Sequence, residues 1–146
     1  MNFADINLRV HAKHEDVFEV ISDVRNFAKA VPDITKVEFL TDQKSGEGTR
    51  FREFRQMKDK EHSTVLSVTE MVPNRMIRMV ADAGGAEWDS VFSVVPRDDE
   101  TDLSMKMVAR PHNFLAKLML PLMRSMIRKA VEKDMVAVKE YCERNR

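Results

Sequence analysis

Glu53 and Arg55, oppositely charged and one strand repeat apart, lie on the most informative strand of this 146-residue chain. Thr49–Met57 alternates, so the two share one face about 7 Å apart, within reach of long side chains. Phe51 pointing inward would carry Thr49, Glu53, Arg55 and Met57 with it; the opposite register would turn in Arg50, Arg52, Phe54 and Gln56. Inside an apolar pocket, Arg55 would hold a carboxylate, phenolate or enolate through charge-assisted hydrogen bonds. At a rim the pair is an exposed ion pair worth about 0–1 kcal/mol, and that is the simpler reading. His62, with an ordinary pKa near 6.5, is a candidate proton shuttle, though its place beside Lys58 and Lys60 reads first as surface. Glu53, Arg55 and His62 are therefore the candidate catalytic groups. Ser90 and Trp88 add a hydroxyl and an indole donor. Glu70 shares the face of His62 and Thr64 but precedes a turn, where Arg75 or Arg78 would pair it.

Other chemistries find no support. No Ser/His/Asp or Cys/His set is credibly placed, and His11 and His14 straddle a strand end and a helix start. Gly46-Glu47-Gly48 lacks the Lys-Ser/Thr pair of a phosphate loop. A single cysteine, Cys142, excludes an internal disulfide and a multi-thiolate metal site, so neither a metal nor a bound cofactor is expected. Lys plus Arg number 24 and Asp plus Glu number 24, a balance that argues against a nucleic-acid binder. Arg124, Arg128 and Lys129 make one basic stretch, a solvated face or one that steers the chain to an anionic surface or partner. No apolar run approaches the roughly 20 residues that span a bilayer. The segment Met1–Val10 alternates and carries Asp5, unlike a secretory signal, so a cytoplasmic location is expected.

These residues need elements to position them. Ala4, Ile6, Leu8 and Val10 alternate with polar residues as a strand with one buried face. His14–Val24 switches to helical spacing with Val17, Val20, Ile21 and Val24 on one side, and Asp23–Pro32 forms a second, short helix stopped by its proline. Six strand-like runs follow: Lys36–Thr41, Thr49–Met57, Glu61–Met71, Met76–Ala81, Glu87–Val95 and Asp102–Ala109. Their short, turn-rich connections predict antiparallel neighbours. From His112 to Arg144, the residues Leu115, Leu118, Met119, Leu122, Met126, Ala130, Met135, Val138 and Tyr141 recur at three and four, a long amphipathic helix that Pro121 should kink or divide. The order is β-α-α-β6-α, an α+β fold of one domain in which a curved seven-stranded antiparallel sheet partners the C-terminal helix.

That order, with the segments His14–Asp23 (HEDVFEVISD), Asn26–Pro32 (NFAKAVP), Gly46–Phe51 (GEGTRF), Val68–Arg75 (VTEMVPNR) and Leu118–Met123 (LMLPLM), resembles the helix-grip fold of the SRPBCC superfamily. The branch it is most similar to is the polyketide cyclase/dehydrase-like one, beside START lipid-transfer and birch-pollen-allergen-like domains. The short-helix segment also resembles ubiquinone-binding members, although Val31 stands where they carry an aromatic residue. The resemblance implies an apolar cavity between sheet and helix.

Strand parity then predicts the lining: Phe51 and Arg55; Leu66 and Val68; Ile77 and Met79; Trp88, Ser90 and Phe92; Met105 and Met107. From the helices, Phe27, Val31, Met119 and Met123 would close it. Eleven methionines against one tryptophan and one tyrosine suit adaptable apolar space. The function implied is binding of a hydrophobic small molecule such as a lipid, polyketide or quinone. The alternatives are a metal-free cyclase/dehydratase using the same cavity and a protein-interaction module using the basic helix face. A homodimer stays open.

Overall fold

In the computed structural model, which describes residues 1–146, period-two alternation becomes seven strands and the helical spacings become three helices. In chain order these are β1 (Asn2–Val10), α1 (His14–Ser22), α2 (Val24–Ala30), β2 (Ile34–Phe39), β3 (Arg50–Met57), β4 (Lys60–Val72), β5 (Met76–Ala83), β6 (Ala86–Arg97), β7 (Glu100–Pro111) and α3 (Phe114–Arg144). One antiparallel sheet has the order β1-β7-β6-β5-β4-β3-β2. Strands β2 to β7 form a meander, and β1 returns to pair with β7 at the far edge. This is the predicted α+β helix-grip architecture.

Local chemistry sets the joints. Asp23 is extended and serves both short helices: its amide closes on the Glu19 carbonyl, and its carboxylate accepts the Arg25 amide at 2.9 Å. An aspartate at an N-cap satisfies one of the first orphan helix donors. The Arg25 guanidinium also donates to that carboxylate and holds it below the usual Asp range. Asn113 caps α3 by accepting the Ala116 amide at 2.8 Å. Gly84 and Gly85, both at positive φ, make the two-residue β5–β6 turn. A Cβ on Gly85 would meet the Ala116 methyl at 3.3 Å, so this turn lies directly against the start of α3.

Two β-bulges change what parity predicts. The register of β1 on β7 shifts between Asn2 and Ala4, so Phe3 and Ala4 are both buried. Phe3 thereby packs on Trp88, ring centroids 5.1 Å apart. A second shift, between Val68 and Glu70 of β4, puts Met71 opposite Ile77 and Glu70 opposite Arg78. The inward parity expected for Glu70 therefore ends at the bulge, because one extra residue reverses every later side chain. On the convex face Asp89 bridges Arg78 and Arg110, the latter at 2.9 Å.

The core holds Val17, Val20, Ile21 and Val24, as their spacing predicts, packed on Leu103, Met105, Phe92 and Ile77 of the sheet. Helix α3 runs through Pro121 undivided. Its expected apolar stripe is correct only in the second half, where Met135 and Val138 are buried with Val131 and Cys142. In the first half the buried side chains are Ala116 and Leu120, whereas Leu115, Leu118, Met119, Leu122 and Met126 are exposed. Both rows have helical spacing there, and only the position of the sheet chooses between them. No helix is long and apolar enough to cross a membrane.

Cys142 follows from this packing. Burial pushes its thiol up to about 11, with Asp16 and Glu143 adding to the effect. Since the thiolate is the reacting form, native protein at mildly alkaline pH should label with a disulfide reagent orders of magnitude more slowly than denatured protein. Equal rates would show that this end of α3 is open.

Candidate functional site

A cavity of about 420 Å³ lies between the concave sheet face and α3, lined by 22 residues of which 16 are hydrophobic. The strands supply most of the wall, and alternation decides which residues take part. Strand β3 adopts the register with Phe51 inward and brings Glu53, Arg55 and Met57 with it. Leu66 and Thr64 follow on β4, Met79, Ala81 and Ala83 on β5, Trp88, Ser90 and Phe92 on β6, and Met105 and Met107 on β7. Cross-strand pairing stacks these positions in rows: Phe51 faces Leu66, Leu66 faces Ala81, and Ala81 faces Trp88. Helix α2 adds Val24 and Phe27, whose ring meets Phe92 edge-on at 6.0 Å. Helix α3 adds Ile127, Ala130, Val131, Asp134 and Met135.

Ten of the fifteen residues predicted to line the cavity are thus on its wall: Phe27, Phe51, Arg55, Leu66, Met79, Trp88, Ser90, Phe92, Met105 and Met107. The other five stand elsewhere. Val31, Val68 and Ile77 share the inward face but are packed solid in the core. Near the β4 bulge α1 and α2 fill the space, so facing inward does not there mean facing a hollow. Met119 and Met123 are exposed, because α3 presents Ala116 and Leu120 to the sheet instead. His62 pairs with Arg55 in register yet is exposed at the start of β4 and off the wall. The Trp88 indole donates to the Ala83 carbonyl at 3.0 Å, so its N–H is already committed.

The polar feature of the wall is a charge triad. Arg55 Nε donates to Glu53 Oε1 at 2.5 Å, and Nη1 reaches Asp134 Oδ2 at 2.8 Å. Their side chains are only 23%, 12% and 15% exposed, which rules out the rim reading. With all three ionised the group carries one net negative charge. Burial pulls the Arg55 pKa down, but attraction by Glu53 and Asp134 outweighs it and leaves the pKa raised. Burial pushes the Asp134 carboxyl above its ordinary value; Arg55 opposes this, and Glu53 and Asp33 add to it. The guanidinium already has two carboxylates, so an incoming anion would have to displace one. A hydroxyl or amine donor instead meets acceptors in place. Asp134 lies 79 positions from Arg55 in the chain, on α3 beside the buried Met135, and no local pattern marks it. No three His, Cys, Asp or Glu side chains converge as metal ligands would.

A bent sheet gripping one helix around a mostly apolar hollow defines a helix-grip cavity protein. The chain belongs to the family described as polyketide cyclase / dehydrase and lipid transport, which matches residues 7–143, within the SRPBCC superfamily to which its motifs pointed. A START superfamily protein from Mycobacterium smegmatis is similar over 100% of both chains, with a TM-score of 0.79 at 17% identity. Norcoclaurine synthase from Thalictrum flavum, in complex with dopamine and hydroxybenzaldehyde, covers 97% of this chain and 86% of its own (TM-score 0.74, 15% identity). The di-domain ARO/CYC BexL from the BE-7585A biosynthetic pathway covers 94% of this chain, which spans 45% of BexL (TM-score 0.77, 14% identity). No curated protein matches the sequence.

The triad yields a sign-checked expectation. Arg55→Met strands two partly buried carboxylates and should cost about 3 kcal/mol in urea unfolding at neutral pH. Asp134→Asn keeps the Glu53–Arg55 pair and should cost less than half as much. Because the Asp134 pKa is raised on folding, the native state holds its proton longer than the unfolded chain. Its contribution to stability therefore falls as pH rises from the ordinary value of 3.8 to the raised folded value. Asp134→Asn should flatten that part of the stability profile, and an unchanged profile would show that the carboxyl titrates normally.

Proposed function

We propose that this protein binds a hydrophobic small molecule in the sheet–helix cavity, a lipid, polyketide, quinone or similar compound bearing a hydroxyl or amine. The observation that carries this reading is the pairing of a ligand-sized apolar hollow with a single charged pole, Glu53–Arg55–Asp134. Ligand pockets commonly run about 300–1,000 Å³, mostly apolar with a few placed polar groups. Apolar burial supplies affinity, at roughly 25 cal/mol per Å². The triad supplies orientation, because its acceptors are preorganised by Arg55 and only partly hydrated. Family membership supports the same reading, since the family's description includes lipid transport.

A second reading has its own observation. Asp134, with its carboxyl pushed up by burial, stands beside a carboxylate and a guanidinium on the cavity wall, which suits a general acid that protonates a carbonyl or a base that takes a proton. In a cyclase/dehydratase the cavity would fold a poly-carbonyl chain against that group, with Arg55 holding it in place. Dopamine and hydroxybenzaldehyde, named for norcoclaurine synthase, are ring compounds with hydroxyl or amine groups, the kind of ligand this reading calls for.

Native mass spectrometry of the purified protein should reveal a co-purified apolar compound. A hydroxylated apolar ligand at about 100 times its Kd should stabilise the fold by roughly 2.7 kcal/mol. Ala81→Phe, which places a ring in the middle of the wall, should abolish that stabilisation while circular dichroism stays native. If the variant binds as well as the natural chain, the ligand lies elsewhere. Asp134→Asn separates the two readings: a carrier keeps its ligand, whereas an enzyme keeps binding and loses turnover at least about a hundredfold.

A further inference from the structure

The first half of α3 presents an apolar face that nothing in the chain covers. Phe114 is 74% exposed and Leu122 79%, and Leu115, Leu118, Met119, Met123 and Met126 are exposed with them. Leu115, Leu118, Leu122 and Met126 follow one another at three and four, and Met119 and Met123 form the adjoining row. Scattered surface leucines need no explanation, but a contiguous patch on one helix does. From Phe114 to Val131 every charged residue is a cation: Lys117, Arg124, Arg128 and Lys129. Lys117, Arg124 and Arg128, spaced seven and four apart, form a row on the side of the helix turned away from Leu122, and Lys129, seven on from Leu122, lies within the apolar face.

We propose that this half of α3 docks on an anionic lipid bilayer. An amphipathic helix with cations on its polar face lies in the interface plane, its apolar side chains about 5–10 Å deep among headgroups and acyl chains. Each cation near an anionic leaflet adds about 1 kcal/mol. A second copy of this chain fits the face less well. A two-fold dimer would bring two segments of excess positive charge together, since the one nearby acidic residue, Glu132, already holds Arg128 at 3.2 Å. The bilayer supplies both an apolar layer and the missing negative charge. The patch is also continuous with the cavity: one turn on from Met123 and Met126, Ile127 and Ala130 line its wall. A bilayer under α3 would therefore lie beside the part of the cavity wall that α3 supplies. The docking itself stands on α3 and its charges, and it does not depend on what the cavity holds.

Co-sedimentation of the full chain with vesicles tests this, using pure phosphatidylcholine and phosphatidylcholine mixed with phosphatidylglycerol, each at low and high salt. The chain should bind the mixed vesicles, weaken severalfold in high salt and bind pure phosphatidylcholine poorly. Leu118→Ser with Leu122→Ser should lower binding to mixed vesicles at least about tenfold. Lys117→Glu with Arg128→Glu should do the same through charge. Arg124 is left alone because it lies over the Phe3 ring, 5.6 Å from its centre. All four replaced side chains are exposed, and native circular dichroism would confirm that each variant folds. No binding by the natural chain overturns the proposal, as does equal binding to neutral and anionic vesicles. So does a stable dimer, in sedimentation equilibrium, that the leucine variant dissolves. The cavity-filled Ala81→Phe chain should still dock. Vesicle binding without ligand binding would refute the cavity reading alone, and the converse would refute only this one.

Discussion

A seven-stranded sheet is wider than the helix it grips. Six inter-strand gaps of about 4.8 Å make a wall nearly 30 Å across, whereas a helix with its side chains is only about 10–12 Å thick. Curvature brings the two edges toward α3 but does not remove the excess. The protein meets it in two ways. Over the β4 bulge, α1 and α2 fill the concavity with Val17, Ile21, Val24 and Val31, and the core there is solid. Toward the Trp88 end no element fills it, and the space between Phe92, Leu66 and Ile127 remains a cavity.

The triad depends on the same mismatch. Had the sheet closed fully on α3, Glu53 and Arg55 would be buried in a dry core, where desolvation can exceed the Coulombic gain of pairing. Had it opened further, they would be a solvated pair of little consequence. At the wall of a partly open cavity they are held between these limits. Asp134 joins from α3, so one guanidinium serves two carboxylates and the wall has a negative pole. That surplus charge favours donor ligands over anions.

The two halves of α3 divide the labour. Val131, Met135 and Val138 anchor the second half in the core, a stripe at three and four that the sheet fully covers. The first half touches the sheet through few contacts, Ala116 at the Gly85 turn, Leu120 beside Phe3 and Arg124 over the Phe3 ring. Its remaining apolar side chains face outward. Because the helix is apolar on nearly all sides there, its packing face is a tertiary decision.

The sequence by itself determined the strands, their antiparallel pairing and ten of the 22 residues of the cavity wall, because a period of two leaves each strand one face to bury. Inward sets such as Leu66 with Val68 and Trp88 with Ser90 and Phe92 were legible for that reason, whereas the register of β3 and the cross-strand rows were not. Tertiary structure alone decided three things. The bulges at Phe3 and Thr69 reversed local parity, which propensity does not mark. The filling by α1 and α2 separated core positions such as Ile77 from wall positions such as Met79, although both face inward. The rotation of α3 brought Asp134 to Arg55 and left Met119 and Met123 outside. Side-chain period is a local property of the backbone, while rotation and filling depend on contacts between segments far apart in the chain.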